Sequence, residues 1–361
     1  MKNFNNIKSI TGKVTFNGTG SINNDSSNQK DALYKLGFKV NGANSNFNDN
    51  VTYHKKEFFK ENGENKFRYK VSHDCIRHAM FNEEMPYYNG GLILLPQVLF
   101  NSITSPAMIA RGYMLTEADL NIKKKSVFCI SDALSKDACD TIIVETCSRA
   151  GERGEKKVTE ITDKNGNTKT VTKGATSLFA RENVGEHEYE ATFGIDLTEL
   201  QFISLDDFYG RKSANVDTKE LLELYTSCMK RNFETSEEIE KKPYYLKTSI
   251  MGEECAEEGI LLTEEMVNKV IHTILNNLIK TRIERPSLGG LFNFKEMELT
   301  INFADGSEKT ITITSKDDIK GIFFGYEQVY FEADDEKIEK RDSEIKRILE
   351  SSEKKSKKSK K

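Results

Sequence analysis

Ser72, Arg77 and His78 are the residues whose types and spacing first suggest chemistry. They fall in R-Y-K-V-S-H-D-C-I-R-H-A-M-F, where Arg68 to Val71 suit a strand and Ser72 can N-cap the helix that follows. The unpaired N–H groups of such a helix start, with the helix dipole behind them, attract an anion, and Arg77 and His78 follow within two turns. A phosphate backbone would suit the place. An ordinary capped helix, with Ile76, Ala79 and Met80 in the core and Arg77 in solvent, accounts for the same residues. A second set is cationic: Arg149, Arg153, Lys156, Lys157, Lys164, Lys169, Lys173 and Arg181 stand against four acidic residues between positions 149 and 181, a local charge of +4.

Carboxylates could instead serve a metal-dependent nuclease, with Asp25 joined by Asp74 or Glu145. Nothing in their spacing brings them together, and no P-loop or nucleophile elbow accompanies them. A solvated loop aspartate explains Asp25 more simply. His73 and His78 are five apart and miss the i, i+4 spacing that puts two ligands on one helix face, so no metal site is expected and no cofactor is called for. The six cysteines (Cys75, Cys129, Cys139, Cys147, Cys228, Cys255) form no C-x-x-C pair, and no secretory signal is evident, so free thiols in a reducing cytoplasm are expected.

These groups need elements to hold them. Residues 9 to 16, S-I-T-G-K-V-T-F, read as a strand running into the small polar loop N-G-T-G-S-I-N-N-D-S-S-N, which carries Asp25. Within residues 156 to 172, Asn165-Gly166 suits a two-residue type I′ turn, which pairs Lys164 with Asn167, Thr162 with Lys169 and Glu160 with Val171. Both faces of that hairpin are mostly polar, so it is expected to project from the body and to become ordered on a partner. The apolar stretch near Gly90 to Phe100 reads as buried, A-R-G-Y-M-L carries Arg111, and Phe128, Ile142 to Val144 and His187 to Leu197 mark strands. Helices are expected around Thr218 to Asn232 and Glu264 to Arg282, the second with a core stripe of Met266, Val270, Ile271, Ile274 and Leu278. Met297, Leu299, Ile301 and Phe303 alternate with polar residues before Asp305-Gly306 turns the chain into Ile311 and Ile313. Asp334 to Leu349 reads as a charged helix, and the final E-K-K-S-K-K-S-K-K as a disordered tail with loose anion attraction at most. Strands joined by antiparallel hairpins and interspersed with helices argue for an α+β fold.

Composition bounds the rest. At 361 residues, 37% hydrophobic and 30% charged, the chain is globular and can bury a large core. No apolar run approaches the ~20 residues of a membrane span. The net charge is −4 (53 basic, 57 acidic), but the last eleven residues carry +5, leaving −9 on residues 1 to 350. That balance speaks against a broad basic face and leaves room for a narrow basic groove.

Several segments together resemble the RAMP superfamily, the repeat-associated RNA-binding proteins of CRISPR systems. V-S-H-D-C-I-R-H-A-M-F resembles that superfamily's strand, Ser-rich cap and Arg-bearing helix, and S-I-T-G-K-V-T-F-N-G-T-G-S-I its first strand and small-residue loop. A-R-G-Y-M-L, N-V-G-E-H-E-Y with G-I-D-L-T-E-L, and R-P-S-L-G-G-L-F look like the backbone subunits of class 1, Cascade-like (type I) effector complexes, in the same order along residues 9 to 292. The resemblance implies a ferredoxin-like or RRM-like antiparallel palm with a helical insertion (about 217–283) and a protruding β-hairpin thumb (about 149–181), the hand spanning 1–350 and the Lys-rich tail 351–361. It implies a non-catalytic, cytoplasmic CRISPR RNA-binding subunit for defence against foreign nucleic acid. Copies would line up head to tail along one guide, with the target strand and other effector subunits as partners and no membrane. RNA contact is carried onto Ser72, Arg77, His78 and Arg111, with Arg77 as the phosphate fork, and onto Arg149, Arg153, Lys164, Lys169, Lys173 and Arg181 around the hairpin. The glycine-rich loop of many members is reduced here to Gly289-Gly290, and the His-rich pattern of the guide-processing ribonucleases is missing. A metal-dependent ribonuclease of the same superfamily and a protein-only assembly subunit are the competing readings.

Overall fold

A computed structural model of the chain describes residues 2–25, 39–41, 51–81, 95–117, 120–149, 157–162, 168–173, 177–206, 210–247, 256–286 and 289–358. At its centre lies one long strand, β1 (Lys2–Thr19), which bears the β-branched run of residues 9 to 16 and extends it at both ends. Phe4, Ile10, Val14 and Phe16 alternate into the core; Ile7 is buried as well, because the register shifts between Ile7 and Ser9, next to Asn6 at φ 57°.

Nine further strands join β1 in one sheet: β2 (Lys56–Glu61), β3 (Glu64–Val71), β4 (Phe128–Ile130), β5 (Ala133–Ser135), β6 (Glu186–Ile195), β7 (Arg282–Arg285), β8 (Gly290–Phe303), β9 (Glu308–Ile313) and β10 (Ile322–Tyr326). Their order is β7-β8-β1-β6-β5-β3-β2, with β9 on β8, β10 on β1 and β4 on β6. All pairings are antiparallel except the parallel β1–β10 pair. The expected hairpin of alternating residues is β8–β9: Met297 faces Ile313 and Leu299 faces Ile311, with Gly306 at φ 84° in the turn.

The helices are α1 (His73–Phe81), α2 (Pro96–Ile103), α3 (Pro106–Arg111), α4 (Leu197–Gln201), α5 (Lys219–Phe233), α6 (Glu264–Lys280), α7 (Lys316–Ile319) and α8 (Asp335–Lys358). Thr263 caps α6, its hydroxyl accepting from the Met266 N–H at 3.4 Å, and the stripe of Met266, Val270, Ile271, Ile274 and Leu278 is buried as its spacing requires. Each such side chain contributes about 1.5–3 kcal/mol of hydrophobic stabilisation. The helix lies against β8 and β10 and touches α1 and α3, so the three helices share one layer over the sheet. Of the apolar stretch near Gly90, residues 90–94 lie outside the described residues, while Leu99 and Phe100 on α2 are buried and Leu95 and Val98 exposed. The last helix continues to Lys358, past Leu349 and through much of the Lys-rich stretch expected to be disordered; Lys, Glu and Ser include neither the Gly nor the Pro that would stop it.

A second, five-stranded sheet orders Asn24–Asp25, Val51–His54, Ser177–Glu182, Thr141–Arg149 and Lys39–Asn41. Thr141–Arg149 and Ser177–Glu182 form the inner half of a β-ribbon; the outer strands, Lys157–Thr162 and Thr168–Lys173, pair with each other alone among the described residues. Here the expected register is corrected by one residue: Thr162 faces Thr168 and Glu160 faces Thr170, not Lys169 and Val171. That leaves five residues between the strands, an odd number where a two-residue turn requires an even one. Asn165-Gly166 and the Lys164–Asn167 pair lie outside the described residues. A strand whose sequence is polar on both sides has little to specify its register, which is why a turn motif alone misplaced it.

Candidate nucleic-acid interface

Strand β3 delivers the chain to Ser72, whose carbonyl accepts from the Ile76 N–H at 3.1 Å and so begins α1. The side chain does something other than expected. Its hydroxyl accepts from Asn23 Nδ2 at 2.9 Å, tying the helix start to the loop after β1. Asp132, between β4 and β5, accepts from the His73 N–H and pairs with His73 Nδ1, both at 2.8 Å, and lies 3.1 Å from Lys70 Nζ. Burial opposes the charge on Asp132, but the hydrogen bonds from His73 and Lys70 outweigh it and hold its carboxyl at about 2. A protein carboxylate therefore takes the first N–H of α1, where the sequence leads one to expect an external anion.

Arg77 is also partly engaged. One Nη2 donates to the Arg111 carbonyl at 2.8 Å and to Ser126 Oγ at 3.2 Å, and burial, then the Arg111 charge, lowers its pKa. The half-buried guanidinium thus braces the end of α3, where Arg111 precedes Gly112 at φ 73°. Arg77 and Arg111 come together, and Arg77 positions the second motif. His78 is exposed and faces a cleft of about 340 Å³ between α1, the end of α6 and β7, which also takes in Cys75, Lys280, Arg282 and Arg285. Arg282 pairs with Glu284, and Arg285 bonds the Cys75 thiol, which burial pushes up. Lys280 has no ion-pair partner among the described residues. Sequence reasoning missed Lys280 and Arg282, because their proximity to α1 is set by a chain reversal some 200 residues away; Arg285 was visible only as the first letter of R-P-S-L-G-G-L-F.

Two glycine segments meet beside this cleft. A Cβ on Gly20 (φ 63°) would lie 2.3 Å from the Gly289 carbonyl oxygen, and one on Gly290 would lie 2.3 Å from that of Ser21. The loop after β1 and the turn before β8 therefore touch through bare backbone, an approach that a side chain would prevent. Asp25, placed by the sequence in that loop, instead sits in a short strand opposite Tyr53.

The ribbon holds the other candidates. Arg149 faces Ser177, Arg181 faces Glu145, Lys169 faces Ile161 and Lys173 faces Lys157, whereas Arg153 and Lys164 lie outside the described residues. The ribbon's root is built around Glu182. Its carboxylate takes Lys56 Nζ at 2.5 Å, the His54 N–H at 3.0 Å and Tyr69 Oη at 3.1 Å, with the Lys56 and Glu182 side chains wholly buried. Lys56 Nζ also stands 5.4–5.5 Å from the ring centroids of Tyr53, Phe67 and Tyr69. Tyr69 lies three residues before Ser72, so one strand supports both the ribbon and α1.

The residues of the nuclease reading lie on three different elements. Asp74 is exposed at 3.4 Å from His73, and Glu145 lies across the ribbon from Arg181. Among the described residues no three His, Cys, Asp or Glu side chains are placed to hold a metal ion. Cys75, Cys129, Cys139 and Cys228 are free thiols, and no described helix is long and apolar enough to cross a membrane.

Comparison with known proteins adds to this geometry. The family described as type I-Fv CRISPR-associated protein Cas7fv-like matches residues 3–332. A chain of a solved Type IV-B CRISPR complex aligns at 10% identity and a TM-score of 0.25, covering 52% of this chain and 73% of that one. No curated protein matches the sequence.

Proposed function

Because the chain belongs to the type I-Fv CRISPR-associated Cas7fv-like family, a class 1 backbone subunit, we propose that it is a non-catalytic guide-RNA scaffold whose copies multimerise head to tail along one CRISPR RNA. The observation that carries this is the family match over residues 3–332. The fold supports the division into a hand. Strands β8, β1, β6 and β5 stand in the order of a ferredoxin-like or RRM-like sheet, with α1 and α6 as its two helices on one layer, and would be the palm. The ribbon of residues 141–182, through its outer strands, would be the thumb, and residues 217–283 would include the fingers.

RNA would run past Ser72, His78, Arg111 and the cations of the adjoining cleft, with Arg149, Arg153, Lys164, Lys169, Lys173 and Arg181 of the ribbon closing over it. Backbone contacts give affinity without reading sequence. A repeating guide calls for a heterologous interface that does not close on itself. Target strand and other effector subunits would meet this filament, and catalysis would belong to those partners.

Copurification tests the proposal. The protein, expressed with a guide array, is expected to carry RNA of discrete length that sequences as repeat and spacer, and its mass is expected to grow with guide length. Oligomers free of nucleic acid would overturn it in favour of a protein-only assembly, and metal-dependent cleavage abolished by Asp25→Ala would overturn it in favour of a ribonuclease.

A further inference from the structure

At the root of the ribbon three buried side-chain atoms have no hydrogen-bond partner among the described residues: His54 Nε2, His187 Nδ1 and Tyr189 Oη. They belong to one cluster of rings. His54 and His187 flank the same two tyrosines, with centroid separations of 5.4 and 4.9 Å to Tyr69 and of 6.5 and 6.4 Å to Tyr189. Each imidazole has its other nitrogen engaged by a backbone carbonyl: His54 Nδ1 with Lys55 at 2.9 Å and His187 Nε2 with Val184 at 2.7 Å. A carbonyl only accepts, so both of those nitrogens carry protons, and in the neutral rings the orphaned nitrogens are acceptors. Burial holds His54 neutral, with its pKa lowered to about 4. Burial, then the Glu182 charge, raises the pKa of Tyr189, so its hydroxyl keeps its proton and can donate.

The orphaned set is thus two acceptors and one donor, and its complement is a small neutral molecule that donates twice and accepts once. A metal cation fits poorly: the Lys56 ammonium already occupies the cluster, and both oxygens of Glu182 are engaged by Lys56, the His54 N–H and Tyr69. An anion would face two nitrogen lone pairs. We propose that the ribbon root encloses one structural water, donating to His54 Nε2 and His187 Nδ1 and accepting from Tyr189 Oη. Three hydrogen bonds are the usual complement of a buried water. This one would join the strand Val51–His54 to the start of β6 and so fix the ribbon where it returns to the main sheet.

A crystal structure of the full chain that resolves ordered solvent tests this. A single density peak at about 2.7–3.2 Å from all three atoms is expected, without anomalous signal at the zinc edge. In Tyr189→Phe the peak should persist on the two imidazoles, since both of its protons still have acceptors. A direct Tyr189–His54 hydrogen bond with no peak between them, an anomalous scatterer at the position, or loss of the peak in Tyr189→Phe would each overturn the assignment.

Discussion

The ribbon root and the cleft beside α1 both gather cations and histidines, and they treat them in opposite ways. At the root Lys56 is wholly buried and answered by Glu182, by the His54 carbonyl and by three aromatic rings. In the cleft Lys280 and His78 are exposed, and Lys280 has no ion-pair partner among the described residues. The first arrangement is closed within the protein and can only stabilise or fail; the second leaves the Lys280 ammonium at the surface. Net charge cannot tell the two apart, which is why −4 overall says little about where an anion binds.

The largest way to break this contrast is Lys56→Met, which strands the Glu182 carboxylate in the interior. It should cost roughly 3–5 kcal/mol in a denaturation midpoint, and the double change to Met at 56 and Leu at 182 should recover most of it. Acid attacks the same place. The folded pKa of His54 lies below its unfolded value of 6.5, so its contribution to stability is whole above that pH and is lost as pH falls toward about 4. That amounts to about 3 kcal/mol, readable as a falling melting temperature between those limits.

On the open side, Lys164, Lys169 and Lys173 changed together to Glu should weaken RNA binding and flatten its salt dependence by roughly two log units of slope, at about 0.7 per phosphate contact. Lys280→Ala with Arg285→Ala should give a smaller drop, about 1.4 units of slope, with the melting temperature preserved. An unchanged slope in both would erase the distinction between the closed and open regions. The smallest effect is expected at Glu61, whose exposed pair with Lys66 has the same 2.5 Å separation as the buried one; Glu61→Ala should leave the midpoint where it is, because solvent screens the pair.

Local signals carried much of this fold. The α6 stripe, the alternation in β8 and the strand–helix unit at Ser72 follow from periodicity and capping, and the structure has them. What one stretch of chain cannot announce is its distant partner. Asp132 capping α1, Glu182 meeting Lys56 and Gly20 abutting Gly289 are contacts across 59, 126 and 269 positions, and each redirected a side chain or loop that had a plausible local role. The ribbon register failed for the converse reason, since the sequence has no apolar alternation there to penalise a one-residue slip.

The placement of β1 has a consequence for how the protein is made. Its central strand precedes the other strands of its sheet along the chain, and β8 and β10, which pair with it, leave the ribosome only after about 270 further residues. At about 5–20 residues per second that is a wait of roughly 15–55 s with the apolar edge of β1 unpaired. The whole sheet can therefore close only once β8 and β10 have emerged, and a chain truncated before residue 290 should depend on chaperones.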